Sequence, residues 1–369
     1  MTVTEQTLLA DYTTLRLGGP AGRFVRAASD AELIATVRAA DAEGEPVLVL
    51  GGGSNLVVAD DGFPGLVVQV MTGGVSLAAG DQDVLVAAAA GEDWDGLVRR
   101  AVDEDLAGIE CLAGIPGLTG ATPIQNVGAY GQEVAQTIVA VRAYDRVMDA
   151  EVELPAAECG FGYRTSAFKR HATGGRGARL NAAAATGRHV VLGVTFRLTA
   201  DPLSRPVRYA ELARKLGVGE GDRVPLADVR TAVLELRRGK GMVLDAADPD
   251  TRSAGSFFTN PVLTTGQLAG LEAALAARGG SAKAPRYAAG DGLVKVPAGW
   301  LIEQAGFGRG YPGSDAAGAR ISTKHTLALT SRGGSAADLL RLAREVRDGV
   351  LDAFGVRLEN EPVLVGAEL

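Results

Sequence analysis

The feature that most constrains this chain is residues 111–132, CLAGIPGLTGATPIQNVGAYGQ, which carry no charge. The run is long enough to cross a membrane. Five glycines, two prolines, Gln125 and Asn126 break any helix there, so it is not a span. It keeps neither a helical nor a strand period and reads as a long glycine-rich loop with one helical turn. A solvated loop normally carries charge, so this one is expected to be buried, with many backbone groups to satisfy. Uncharged polar residues among glycines suit the lining of a large, polar, planar ligand.

A chain of 369 residues buries enough surface for two or three domains without staples. Its 50 glycines are not periodic and imply tight turns and close backbone approaches, not collagen. The net charge of −7 favours no nucleic-acid partner, and an anionic ligand must be held by a local site. Two cysteines, Cys111 and Cys159, cannot frame a disulfide scaffold, and three scattered histidines nominate no metal site. The N-terminus lacks the basic and apolar stretches of a signal peptide, so a soluble cytoplasmic protein is expected.

Helices are predicted over about 29–42, 93–105, 225–239, 264–278 and 335–355. The first opens on a capping box, Ser29 with Glu32. The last places Leu339, Leu342, Val346, Val350 and Phe354 on one face. Strands are predicted over 46–50, 66–70, 83–88, 137–145, 189–199 and 358–365, and a surface loop over 173–187. The mixed order without internal repeats predicts an α+β fold with several sheets.

Four motifs carry chemistry. GGGSN at 51–55 follows a strand, and its backbone can approach an anion closely; a plain surface turn is the bland alternative. FGYRTSAFK at 161–169 sets Arg164 among aromatics, either as a carboxylate clamp or as a surface arginine stacked on Tyr163. AGSFFTNP at 254–261 places Ser256 before two phenylalanines, as a proton donor or as a buried core serine. Glu359 and Glu361 are expected on one face of a closing strand.

Together GGGSN, GIPGLTGATPIQNVGAYGQE, FGYRTSAFK, AGSFFTNP, AGWLIEQAG and LENEPVLVG stand in an order that resembles the UDP-N-acetylenolpyruvoylglucosamine reductase (MurB) family over nearly the whole chain. The resemblance implies an FAD-binding fold of the vanillyl-alcohol oxidase type followed by a C-terminal α+β substrate domain. Its boundaries would be 1–72 with 355–369, 73–230, and 231–354. It implies reduction of the enolpyruvyl group of UDP-N-acetylglucosamine-enolpyruvate by NADPH through bound FAD, in peptidoglycan synthesis. Gly51, Gly52, Gly53, Ser54 and Asn55 would hold the FAD pyrophosphate, Thr122, Gln125 and Asn126 the flavin, and Arg237 its pyrimidine. No histidine lies in either flavin loop, so FAD would be non-covalent, with Cys111 the one nearby thiol.

Arg164 would stabilise charge on the substrate carboxylate and C2, Ser256 would protonate C2, and Glu361 would assist. Tyr163, Tyr209, Lys240, Asn260 and Gln304 would bind substrate, with Tyr209 marking the subtype that carries a tyrosine-bearing insertion. The closing pattern departs from the common L-E-P-E-V-R, with Asn360 and Pro362 in place and Val363 where an arginine is common. The Asp-rich 240–252 segment is also atypical. A sugar or hydroxy-acid oxidase on the same fold, or a non-catalytic UDP-sugar binding protein, are the rival expectations. A monomer is expected.

Overall fold

The computed structural model describes residues 3–4, 7–172, 186–279, 283–314 and 317–369. Compactness divides the chain into two units, the first of Met1–Leu8, Pro20–Gly53 and Phe63–Val243, the second of Leu9–Gly19, Ser54–Gly62 and Leu244–Leu369.

Among the described residues unit one holds two larger sheets and the two-stranded pair Gly128–Ala129 with Gln132–Glu133. The first has the order Val3–Thr4, Ala21–Ala27, Phe63–Val70, Val47–Leu50, and its last three strands are parallel. Helix α1, Asp30–Glu43, crosses over between the second and fourth of them and buries Leu33, Ile34, Val37 and Ala40. The Ser29 side chain accepts from the Glu32 N–H, as predicted, while the Glu32 carboxylate reaches back to the N–H of Ala28. The second sheet is antiparallel, in the order Ala150–Pro155, Ile138–Asp145, His189–Ala200, Asp83–Ala89, Val75–Ala79. Helix α2, Trp94–Asp103, is capped by Asp93 and buries Trp94, Leu97, Val98 and Ala101. Helices α3, Ala167–Ala172, α4, Ala210–Leu216, and α5, Leu226–Gly239, complete the unit. Of the surface loop expected at 173–187, residues 173–185 lie outside the described residues.

Unit two packs α6, Thr265–Ala277, α7, Ala298–Gln304, and α8, Ala336–Phe354, with short strands. All five apolar positions read from the sequence onto one face of α8 are buried. The Asp-rich segment finds structural work here. Buried Asp250 accepts from Arg332 and from the Thr323 hydroxyl, and Asp248 pairs with Lys324 at 2.6 Å.

The closing strand is shorter than expected. It runs only over Val363–Val365, parallel to Leu56–Val58, because Pro362 just before it has no N–H to give a ladder. Glu359 and Glu361 therefore do not share a strand face. The Glu359 side chain is exposed beside Arg357, whereas the Glu361 N–H donates to the carbonyl of Phe257.

Candidate active site

The two glycine motifs of unit one meet. A Cβ on Gly52 would lie 2.8 Å from the Cα of Gly117, and one on Gly51 would rest 3.7 Å from Leu118. Only glycine lets the 51–53 turn sit this close to the long loop. That loop is zipped onto the start of α2: Trp94 N donates to Gly117 O, Thr119 N to Glu92 O, and Gly120 N to Ala90 O. Half of the loop is buried and only Ala121 and Gly131 are exposed, and it holds two short 3₁₀ turns, Glu110–Leu112 and Thr119–Ala121.

Within the loop the polar side chains other than Thr119 are largely in use already. The Thr122 hydroxyl donates to Thr119 O, and Gln125 accepts from Lys169. The Asn126 amide donates to Glu133 and to Gly162 O and accepts from Ala135 N, so both its side-chain N–H groups are spent inside the protein. Its part is to fix the loop, and any contact it makes with a ligand runs through the backbone or the remaining lone pair.

Arg164 stacks over Tyr163 at 5.6 Å, as the bland reading expected. It also donates to the carbonyls of Gly128 at 2.7 Å and Asn126 at 3.3 Å, which aims the guanidinium at the long loop. Asn126, Tyr130 and Arg164 all take left-handed backbone angles, φ 44, 49 and 52°. Such angles cost about 1–3 kcal/mol each in a residue with a Cβ and gather at functional sites.

A third cluster joins the end of α5 to the start of α4. Lys240 caps α5, pairs with Glu211 at 2.6 Å, and lies over the Tyr130 ring at 5.5 Å. Tyr209, just before α4, meets the same ring edge-on at 5.5 Å and is 44 % exposed. Burial pushes the Tyr130 phenol up to about 12. Arg237, one turn before Lys240, donates to Met242 O, and its Nε is shielded without a partner. Desolvation pulls the guanidinium down to about 10, so it stays cationic at neutral pH. The sequence nominated neither Tyr130 nor Glu211, although Tyr130 lies inside the quoted GAYGQE and Glu211 stands two residues after the nominated Tyr209.

In unit two, Ser256 is half-buried at the end of the strand Ser253–Ser256, directly after Gly255 at φ 74°. Its neighbour Phe257 accepts from Glu361 N, and Thr259 N donates to Glu359 O, so the serine and Glu361 are carried on two paired segments. Asn260 accepts from the N–H of Ala298 and so caps α7, while Gln304 is exposed at that helix's other end. Val363, in the place of an expected arginine, donates its N–H to Asn55 O and so ties the end of the GGGSN motif.

The residues of unit one fit a flavin nucleotide. A glycine turn without side chains suits a pyrophosphate. The shielded Nε–H of half-buried Arg237 is a donor lacking an acceptor, which the carbonyl-bearing edge of the flavin pyrimidine offers. Buried Cys111, whose thiol burial pushes up, is not poised as a nucleophile for a covalent link. Among the described residues no group of acids, cysteines or histidines could hold a metal.

Residues 21–154 match the family model described as an FAD binding domain, and residues 248–365 match that of the UDP-N-acetylenolpyruvoylglucosamine reductase C-terminal domain. Fold and site thus define an α+β FAD-binding protein with an added C-terminal unit. The chain is similar to the UDP-N-acetylenolpyruvoylglucosamine reductase of Thermobifida fusca (strain YX), 59% identical over 98% of this chain and 97% of that protein. It is 56% identical to the reductase of the same name from Salinispora arenicola (strain CNS-205), over 98% of this chain and 95% of that protein. Among solved structures, that of the Thermus caldophilus reductase superposes with a TM-score of 0.60 at 25% identity, covering 99% of each chain. The chain belongs to the UDP-N-acetylenolpyruvoylglucosamine reductase family.

Proposed function

We infer that this chain reduces the enolpyruvyl group of UDP-N-acetylenolpyruvoylglucosamine, with NADPH as reductant and FAD as cofactor, in peptidoglycan synthesis. The observation that carries this reading is the near full-length identity with reductases of that name, 59% over 364 residues. When bound, FAD relays hydride from NADPH to C3 of the enolpyruvyl group. Gly51, Gly52 and Gly53, with Ser54 and Asn55, hold its pyrophosphate; Thr122, Gln125 and Asn126 shape the wall for its ring; Arg237 meets the pyrimidine edge.

The remaining work falls to side chains that bind, orient and move protons. Arg164 opposes the negative charge that develops on the substrate carboxylate and C2, and its bonds to Gly128 O and Asn126 O pre-aim it for that task. Ser256 holds the proton that C2 takes, and Glu361 assists it. Tyr163, Tyr209, Lys240, Asn260 and Gln304 bind the sugar nucleotide, with Tyr209 reaching its diphosphate as in the subtype with a tyrosine-bearing insertion. The partition into 1–72 with 355–369, 73–230 and 231–354 belongs to the same proposal.

We take the enzyme to be a cytoplasmic monomer. Among the described residues no helix is long and apolar enough to cross a membrane. The test of the cofactor is direct. Protein purified under mild conditions should be yellow and release FAD on heating; a colourless chain that binds no added FAD overturns the reading.

A further inference from the structure

We propose that Glu211 is a positioning residue that holds Lys240 in place for the substrate diphosphate. The inference rests on the reading above that Lys240 binds the sugar nucleotide, and it adds that the diphosphate is the part that the ammonium meets. A lysine ammonium is a point charge on a flexible four-carbon stem, and fixing it costs rotamer entropy when a ligand binds. Here much of that freedom is already gone. The Glu211 carboxylate holds Nζ at 2.6 Å, and the Tyr130 ring lies 5.5 Å beneath it. The ammonium has three N–H donors. One goes to Glu211, and a diphosphate can take the other two without displacing the carboxylate.

The anchor itself is well sited. Glu211 lies in the first turn of α4, and Tyr209 immediately precedes that helix. One short stretch of chain therefore sets both the lysine and the tyrosine, and both rest on Tyr130. Each partner of the ion pair is about a third exposed, so the pair itself adds little stability. Its consequence is geometric and shows in ligand affinity.

The test measures dissociation constants for UDP, with FAD content and melting temperature as folding checks, and KM and kcat for both substrates. Glu211→Ala should weaken UDP and raise KM for the sugar nucleotide about threefold to tenfold, with kcat and the NADPH step nearly unchanged. Glu211→Gln, which keeps shape and acceptor, should lie between. In a Lys240→Met background the effect of Glu211→Ala should vanish or reverse, since an unpaired carboxylate only repels the diphosphate. Tighter UDP binding in Glu211→Ala, no change, or equal weakening in both backgrounds overturns the proposal. Unchanged UDP binding in Lys240→Met alone would instead remove the assignment of Lys240.

Discussion

Among single residues the sharpest expectation concerns Ser256, the proposed proton donor. Hydride arrival at C3 leaves a carbanion at C2 that must be protonated from one face. A serine hydroxyl is a poor acid in water, yet it can protonate so basic a carbon in contact with it. Ser256→Ala should keep FAD and the NADPH step while slowing reoxidation by the sugar nucleotide at least ~10²-fold. Rapid-reaction absorbance of each half-reaction checks this; near-normal reoxidation would assign the proton to water or Glu361. Thr119 offers a stability counterpart. Its hydroxyl is fully buried without a hydrogen-bond partner, and an unsatisfied buried polar group costs about 1–3 kcal/mol. Thr119→Val should raise the melting temperature, and a lowered one would show that the hydroxyl is satisfied. The cysteines give the pH-dependent case. Burial pushes both thiols up, Cys159 to about 11, so the reactive thiolate is scarce below that value and grows as pH rises through it. Neither should react with a thiol reagent at pH 8 until the chain is unfolded. Rapid labelling of the native protein would contradict this.

At the scale of elements, legibility followed local chemistry. The helices at 226–239, 265–277 and 336–354 were visible because caps and a 3.6-residue period are written next to one another in sequence. The buried loop was legible for a different reason, since a long run without charge has no solvated alternative. The closing strand expected over 358–365 is cut to Val363–Val365 because Pro362 has no N–H for a ladder. The Lys240–Glu211–Tyr130 cluster was illegible because its members lie far apart in sequence and only the meeting of α4 with α5 unites them. Arg164 satisfied both readings at once, stacked on Tyr163 and bound to the long loop. The contact between the two glycine motifs makes its own prediction. Gly52→Ala would push a methyl against the Gly117 backbone, which cannot yield like a flexible side chain. FAD affinity should fall about tenfold or more, the consequence of ~1–3 kcal/mol of overpacking, while the fold persists. Fluorescence titration of the FAD-stripped protein measures it, and wild-type affinity would show that the turn lies outside the cofactor site.

Over the whole molecule, the described residues form one large hydrophobic core in each unit, with a small third cluster of Val102, Ala107 and Leu226 in unit one. FAD bound to the folded chain should add about 2.7 kcal/mol at a hundredfold excess over its dissociation constant, visible as a higher melting temperature. The family places an FAD-binding region and a C-terminal region in one chain, and the central claim is that together they pass hydride from NADPH to an enolpyruvyl sugar nucleotide. That claim is tested by anaerobic mixing in two steps. NADPH alone should bleach the flavin band rapidly without any sugar nucleotide present. UDP-N-acetylenolpyruvoylglucosamine added next should restore the band at a rate far above that given by dioxygen. A band that NADPH leaves unbleached, or one restored by dioxygen but not by the sugar nucleotide, would contradict the account.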